Sequence, residues 1–170
     1  LFERYSARLV NFAYKFLRSR EEAEEIAQET LLRVYREKRS FDPSRAFRPW
    51  LYSIALRLAY NKLRYLKRHP KESLDAVSLS GDESAADRIA DHSQLRPDQI
   101  LEKQAEREKV WSALVSLPES QRSAIILSRF EELSYEEIAS VLDVSVSSVK
   151  SLIFRAKESL INCLRATLNK

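Results

Sequence analysis

Residues 134–156 have the sequence SYEEIASVLDVSVSSVKSLIFRA, which predicts two short helices separated by a tight turn. Ser134 and Glu137 have the spacing of a capping box, in which a Ser hydroxyl and a Glu carboxylate bind unpaired N–H groups at a helix start. Apolar residues then recur at helical intervals as far as Asp143, and they recur again from Val149 onward. The stretch therefore predicts a helix-turn-helix.

The second of these helices has a polar face that combines hydroxyls, cations and one aromatic ring. The face consists of Ser147, Lys150, Ser151, Phe154 and Arg155. Side chains of these kinds can contact phosphates and base edges in a DNA major groove. Helix-turn-helix patterns are short and degenerate, so the alternative for this stretch alone is a helical hairpin with a solvated polar face. The rest of the chain favours DNA binding.

The composition of the whole chain predicts an all-α protein. Its 170 residues include one Gly and five Pro, and they are rich in Leu, Ala, Glu, Arg and Lys, which favour helices. This length allows one or two small domains with hydrophobic cores. The 29 Lys and Arg residues outnumber the 25 Asp and Glu residues, and the net charge of +4 favours a nucleic-acid partner.

Several functional classes are disfavoured by what the sequence contains. Cys163 is the single cysteine, which excludes an internal disulfide and a multi-cysteine zinc site. The two histidines, His69 and His92, belong to no metal-binding motif, and one Gly cannot form a phosphate-cradling loop. We therefore expect no enzyme activity, no cofactor and no metal. No signal peptide or membrane-length apolar run is present, so we expect a cytoplasmic protein without membrane insertion.

Residues 1–69 predict three amphipathic helices. The first has its apolar face at Phe2, Tyr5, Leu9, Phe12, Ala13 and Phe16. Ser19 and Glu22 form a second capping-box pattern, opening a helix that extends to about Glu37. A charged stripe on that helix is usually just solvated. Leu32 and Tyr35 lie beside the stripe, however, and exposed apolar residues indicate a protein-binding surface.

The third predicted helix, from about Ala46 to Leu66, places aromatic residues among Arg and Asn on one face. This face and its neighbours contain Trp50, Ser53, Arg57, Tyr60, Asn61, Lys62, Arg64, Tyr65, Lys67 and Arg68. Aromatic rings can stack unpaired bases while cations hold the backbone. The alternative is that Trp50 and Tyr60 are half-buried core residues and that the cations snorkel from the core. Both interpretations remain open from the residues alone.

The remaining residues predict a linker and a second helical domain. Helical periodicity lapses over residues 70–100, where acids outnumber bases, so this segment is predicted to be an acidic flexible linker. Residues 101–170 predict an amphipathic helix from Leu101, a break at residues 117–119 where Pro118 suits a first helical turn, another helix, and then the helix-turn-helix.

Together these motifs resemble the extracytoplasmic-function class of the sigma-70 family, which has two small helical domains joined by a linker. The first block matches at residues 23–35, AEEIAQETLLRVY, and 47–55, FRPWLYSIA. The last block matches at residues 117–122, LPESQR, 133–139, LSYEEIA, and 148–156, SVKSLIFRA. The resemblance implies a sigma region 2 bundle over residues 1–69 and a sigma region 4 helix-turn-helix over residues 101–170.

The resemblance also implies three binding roles. Docking on the bacterial RNA polymerase core, at the β′ clamp and the β subunit, is expected for Glu25, Gln28, Glu29, Leu32 and Tyr35. Melting and recognition of the promoter −10 element is expected for Trp50, Arg57, Tyr60, Asn61, Arg64, Tyr65, Lys67 and Arg68. Recognition of the −35 element is expected for Ser147, Lys150, Ser151, Phe154 and Arg155.

The resemblance further implies an anti-sigma partner that covers the polymerase-binding faces. The expected function is that of a promoter-specificity subunit without catalysis. The alternative is a stand-alone helix-turn-helix regulator, which would leave the two surfaces of the first block unused. Many relatives have Asn at the position of Arg57, so we expect melting contacts that differ from theirs. They often have Arg at the position of Leu152, and loss of that cation is expected to weaken phosphate anchoring and to narrow or shift the −35 preference.

Overall fold

The computed structural model describes residues 2–70 and 97–168, which form seven α-helices and contain no strand. The helices are α1 (Phe2–Leu17), α2 (Arg20–Glu37), α3 (Phe47–Arg68), α4 (Pro97–Ser116), α5 (Glu119–Arg129), α6 (Tyr135–Leu142) and α7 (Val146–Leu168). The chain divides into two compact units, the first containing α1 to α3 and the second α4 to α7. The prediction of an all-α protein with two small domains is confirmed.

The predicted linker over residues 70–100 lies mostly outside the described residues. At its far end the structure differs from the predicted boundary, because α4 already begins at Pro97. A proline is well placed there, since its fixed φ suits the first turn of a helix and its missing N–H would have had no helical partner.

The core of the first unit is a cluster of aromatic rings from α1 and α3. The ring of Phe12 lies 5.1 Å from the rings of both Phe16 and Tyr52, measured between centroids. The ring of Phe16 contacts that of Tyr60 edge-on at 5.4 Å. Tilted and edge-on pairs of this kind are favoured by the charge distribution of aromatic rings. The cluster therefore fixes how α1 packs against α3.

Helix α2 closes the first unit with a stripe of small and branched residues. The buried residues are Ala23, Ile26, Ala27, Thr30, Leu31 and Val34, as the periodicity predicts. Thr30 is polar but satisfied, because its hydroxyl donates to the carbonyl of Ile26 at 2.7 Å. The small residues let α1 pack closely against α2, which is the most extensive contact between two helices in the first unit.

The two predicted capping boxes form to different extents. At α6 both halves are present: Glu137 N–H donates to the Ser134 hydroxyl at 3.1 Å, and Ser134 N–H donates to the Glu137 carboxylate at 2.9 Å. At α2 the Ser19 hydroxyl accepts from Glu22 N–H at 3.3 Å. The carboxylate of Glu22 instead pairs with Lys62 of α3. Only the Ser half of that predicted box is therefore formed.

Three turns between helices place a residue other than glycine in the left-handed region. They are Arg18 before α2, Glu132 before α6 and Asp143 between α6 and α7, with φ of 59°, 52° and 54°. Glycine is the usual residue in such a position because a Cβ atom costs roughly 1 kcal/mol there. At Asp143 the turn satisfies the end of α6, since Val144 N–H donates to the Ala139 carbonyl at 3.1 Å.

The second unit packs α4, α5 and α6 around α7. Val149, Ile153 and Ala156 form the buried stripe of α7, as predicted, and Ile126, Leu127 and Ile138 meet them from α5 and α6. The LPESQR motif contributes Leu117 and Arg122 to the interior. Both side chains are buried, so at these two positions the motif stabilises the fold of the second unit and does not form part of its surface.

Loss of the α6 capping box should destabilise the second unit. Replacing Ser134 by Ala leaves the N–H of Glu137 without its acceptor, so we expect Ser134→Ala to lower the free energy of unfolding by about 1 kcal/mol. Urea unfolding followed by Trp111 fluorescence, with Trp50 replaced by Phe, would measure this unit alone. Ser140→Ala is the matched control because Ser140 is exposed inside α6. An equal loss from both variants would contradict the assignment.

Tyr60 and Tyr65 should differ sharply in their effect on stability. Tyr60 is 8% exposed and packs on Phe16, whereas Tyr65 is 38% exposed on the same helix. Truncation of a buried aromatic ring leaves a cavity, so Tyr60→Ala should destabilise the first unit by about 3 kcal/mol. Tyr65→Ala should cost less than about 1 kcal/mol. Trp50 fluorescence in a Trp111→Phe background would report both values, and similar losses would refute the difference in burial.

Candidate nucleic-acid and protein interfaces

Helix α3 presents a continuous basic surface on the side opposite its core. Its exposed residues, called the α3 surface below, are Arg57, Asn61, Arg64, Tyr65, Lys67 and Arg68. No acidic residue occurs anywhere in the helix. Cations in its last turn also interact favourably with the helix dipole. The surface therefore provides positive charge beside an amide and an aromatic ring.

The aromatic ring of the α3 surface is held in place by its neighbour. The rings of Tyr65 and His69 stack at 4.2 Å between centroids with an interplanar angle of 26°. His69 Nδ1 lies 3.0 Å from the Tyr65 carbonyl oxygen, which holds the imidazole at the end of the helix. A ring supported in this way loses little side-chain freedom when a further planar group stacks on it.

Two residues predicted for the −10 site lie elsewhere. Tyr60 belongs to the core, so its predicted place on the exposed face is wrong: the ring packs against Phe16 and has no open face for a base. Trp50 is half-buried and packs on Phe41 and Phe47, at centroid distances of 4.7 and 5.9 Å. It lies roughly 22 Å along the helix axis from Tyr65, at 1.5 Å per residue. The other six predicted residues therefore lie together on the α3 surface, whereas the side chains of Trp50 and Tyr60 do not belong to that surface.

Helix α2 exposes a mixed acidic and apolar surface, called the α2 surface below. It consists of Glu25, Gln28, Glu29, Leu32 and Tyr35, which are exposed except for the half-buried Glu29. Leu32 and Tyr35 are 43% and 60% exposed. Glu29 accepts a hydrogen bond from Arg33 at 2.7 Å, and the Lys38 ammonium lies 4.0 Å from the centroid of the Tyr35 ring. The five predicted residues thus share one face of the helix.

The α2 and α3 surfaces meet along a groove of about 470 Å³. Glu25, Gln28 and Leu32 line it from α2, and Asn61 and Tyr65 line it from α3. Residues predicted for polymerase binding and residues predicted for DNA binding therefore face each other across a single depression. In the sequence they form two separate stripes on two predicted helices.

Lys62 joins the two helices at this groove, a role that the sequence analysis missed. Its ammonium lies 2.5 Å from a carboxylate oxygen of Glu22 and 2.8 Å from one of Glu25. Its hydrogen bond, opposed by partial burial, lowers the pKa of Glu25. Burial would lower the pKa of Lys62, but the hydrogen bonds to both carboxylates outweigh burial and raise it. The Glu25 carboxylate and the Lys62 ammonium are therefore both charged near neutral pH.

Helix α7 presents the predicted polar face in full. Ser147, Lys150, Ser151, Phe154 and Arg155, called the α7 surface below, are all exposed. Phe154 is 61% exposed, and four of the five residues line an open depression of about 500 Å³. Burial of the opposite stripe on α4, α5 and α6 fixes the rotation of the helix and holds this face outward.

Serine hydroxyls organise the start of α7. Ser145 caps α7 by accepting from the N–H of Ser148 at 3.2 Å, and its oxygen lies 2.9 and 2.8 Å from the hydroxyls of Ser147 and Ser148. Ser151 donates its hydroxyl to the carbonyl of Ser147 at 3.1 Å. Because Ser151 donates internally, its oxygen is oriented to accept a hydrogen bond from a partner.

Helix α6 adds one acidic group near this surface that the sequence analysis did not assign. Hydrogen bonds from its own backbone and from Ser134, together with the charge of Lys150, lower the pKa of Glu136. The carboxylate therefore stays ionised near neutral pH and attracts the Lys150 ammonium.

Within residues 2–70 and 97–168 no group of three or more His, Cys, Asp or Glu residues is arranged to hold a metal ion. None of the helices in this part of the chain has the length and apolarity that a membrane span requires.

Comparison with known proteins matches both units to one family. The sigma-70 region 2 model matches residues 1–69, and the sigma-70 region 4 model matches residues 107–160. The RNA polymerase sigma-H factor of Pseudomonas aeruginosa is 33% identical over 171 residues, covering 98% of this chain and 86% of the relative. The ECF RNA polymerase sigma-E factor of Escherichia coli is 33% identical over 168 residues, with the same coverage.

Two solved structures share the fold. The sigma factor RpoE of Bartonella quintana, in complex with the anti-sigma factor NepR, has a TM-score of 0.67, 24% identity, and coverage of 96% of this chain and 94% of that chain. CnrH in complex with the cytosolic domain of CnrY has a TM-score of 0.67, 25% identity, and coverage of 97% and 85%. With both regions present and relatives aligned over nearly its whole length, the chain belongs to the sigma-70 family and is a sigma factor of the extracytoplasmic-function class.

Proposed function

We propose that this chain directs bacterial core RNA polymerase to its promoters through three separate surfaces, without catalysing a reaction itself. The observation that carries this proposal is the adjacency of the α2 and α3 surfaces in the first unit. A stand-alone helix-turn-helix regulator would use only the α7 surface. It would have no use for an exposed acidic and apolar face beside a basic and aromatic one.

The α2 surface is the proposed docking site for polymerase, at the clamp of the β′ subunit, with further contacts to the β subunit. Exposed Leu32 and Tyr35 supply apolar area that is costly to leave in water, and protein interfaces are enriched in aromatic residues such as Tyr. Glu25 and Glu29 supply negative charge that selects a basic partner and speeds encounter.

The α3 surface is the proposed site of −10 melting. Extrusion of a base from the duplex costs a few kcal/mol. Stacking on an aromatic side chain returns about 1–3 kcal/mol per base. Tyr65, backed by His69, offers the ring, and the amide of Asn61 in the same groove can donate to and accept from a base edge. Arg57, Arg64, Lys67 and Arg68 would hold the phosphates. Trp50 and Tyr60 support the helix from its packed side.

The α7 surface is the proposed reader of the −35 element. An α-helix fits the major groove of B-DNA, where each base pair has a distinct pattern of donors, acceptors and methyl groups. Arg155 and Lys150 can contact guanine edges or phosphates, and exposed Phe154 suits the methyl group of thymine. Ser147 and Ser151 add hydroxyl contacts.

An anti-sigma protein is the proposed regulator of this activity. The RpoE structure is a complex with the anti-sigma factor NepR, so a protein with this fold can be bound in that way. A partner that covers Leu32 and Tyr35 would bury apolar area and block polymerase at the same time.

Run-off transcription tests the proposed function directly. Purified bacterial core polymerase with this protein, on a pooled genomic promoter library, should produce discrete transcripts that share two upstream motifs. Core polymerase alone is the control. An absence of transcripts together with an absence of co-elution on core polymerase would favour a stand-alone DNA-binding regulator.

The division of labour between the DNA surfaces predicts different kinetic defects. Lys150→Ala and Arg155→Ala should weaken closed-complex binding to duplex promoter and lower the salt slope by about 1 each, because each removes a phosphate contact. Asn61→Ala should leave that binding unchanged and slow strand opening about tenfold, because it removes a base contact. Arg165→Ala is the control, since Arg165 is exposed roughly 15 Å beyond Arg155 along α7. Equal effects of the two sets on duplex binding would contradict the assignment.

A further inference from the structure

One cation stands at the boundary between the α2 and α3 surfaces. Lys62 lies in the groove, next to Asn61 in sequence and one turn before Tyr65. Its two carboxylate partners differ in exposure: the side chain of Glu22 is 16% exposed, and that of Glu25 is 65% exposed. The ion pair with Glu22 is therefore the anchored one, and the ion pair with Glu25 is open to competition from solvent and partners.

The ion pair with Glu25 keeps Lys62 from other anions. The Lys62 ammonium lies 2.8 Å from the Glu25 carboxylate and uses one of its three N–H donors in that contact. The negative charge of Glu25 also offsets much of the positive potential of Lys62 in the groove. Lysine has a flexible four-carbon stem, so its ammonium can exchange one anionic partner for another without movement of the helix. A phosphate at the α3 surface would be such a partner.

We propose that Lys62 is an additional phosphate-binding cation of the α3 surface, that Glu25 occupies it in the isolated chain, and that a cationic polymerase side chain docking on Glu25 releases it for DNA. This inference rests on the proposed docking role of the α2 surface. The ion pair of Lys62 with Glu22 persists in both states and keeps the ammonium in the groove.

The exchange makes polymerase binding and DNA binding mutually reinforcing. A partner cation on Glu25 raises the affinity of Lys62 for phosphate, and by thermodynamic linkage a phosphate on Lys62 raises the affinity of Glu25 for that cation by the same factor. We expect a factor on the order of fivefold, the lower end of the usual range of coupling. The isolated protein thus binds single-stranded DNA less well than it does on polymerase.

Removal of the Glu25 charge should mimic polymerase docking in the isolated full-length chain. Binding of a short fluorescein-labelled oligo-dT would be measured by anisotropy over a range of salt concentrations. Glu25→Gln should bind on the order of fivefold more tightly than the unaltered chain, with a salt slope steeper by about 0.7, the value for one more phosphate contact on a single strand. Glu21→Gln removes the same charge from an exposed position on α2 and should change neither quantity as much.

The double variant separates release of Lys62 from simple removal of charge. In the Lys62→Gln background, Glu25→Gln should give no gain, because no ammonium is left to release. A gain that persists there, or an equal gain from Glu21→Gln, would overturn the proposal. Glu25 is exposed, so the single variant still decides the question if loss of Lys62 impairs folding.

The sigma-factor role and the inference about Lys62 are tested by different assays, because only the former is tested by run-off transcription with core polymerase. If the unaltered chain yields run-off transcripts but Glu25→Gln binds oligo-dT no better than Glu21→Gln, then the inference about Lys62 is wrong and the sigma-factor role stands. On polymerase, Lys62→Gln should lower open-complex yield several-fold although its affinity for the core is no lower, because Glu25 is then free for the polymerase cation. An unchanged yield would also refute the inference.

Discussion

The burial of one side of α3 is the constraint on which the first unit depends. Leu51, Tyr52, Ile54, Ala55, Leu58, Ala59 and Tyr60 all face the interior, so the helix cannot rotate without exposing aromatic rings. Each fully buried large side chain is worth about 1.5–3 kcal/mol in removal from water. Burial of these core residues thus fixes the outward orientation of Asn61 and Tyr65. The same logic holds for α7, where a buried aliphatic stripe orients Phe154 and its neighbours outward.

The first unit also places two helices of opposite charge side by side. Helix α2 is rich in Glu, and α3 has no acidic residue. Lys62 is where this contrast becomes a direct contact, through Glu22 and Glu25. Such an arrangement stabilises the packing of the two helices and also weakens the field that either surface presents to an approaching partner. A surface of this kind favours binding in the presence of both partners over binding to either one alone.

Periodicity and capping patterns predicted most of the fold. The apolar stripes of α1, α2, α3 and α7 are regular, and an apolar stripe at helical spacing has few other solutions. The α6 capping box was equally predictable, since its two partners are three residues apart. Tyr60 was misplaced because an aromatic ring beside cations has the same pattern whether it is buried or exposed. Its burial depends on Phe16, which is distant in sequence. The bridge of Lys62 to Glu25, 37 positions apart, likewise depends on how α2 and α3 pack. The same packing pairs the Glu22 carboxylate with Lys62, so Glu22 does not cap the start of α2 as predicted.

The left-handed residues at the turns have a consequence for how this protein can change. Arg18 and Glu132 occupy conformations that glycine would adopt at lower cost, and both lie outside the three proposed binding surfaces. Each is a position where a single substitution could raise the stability of one unit by a fraction of a kcal/mol to about 1 kcal/mol. If α7 reads promoter DNA as proposed, a new promoter preference requires substitutions on that helix, and most substitutions destabilise. A stabilising substitution at one of these turns could offset such a loss. The promoter specificity of the fold can therefore change without changes to its hydrophobic core.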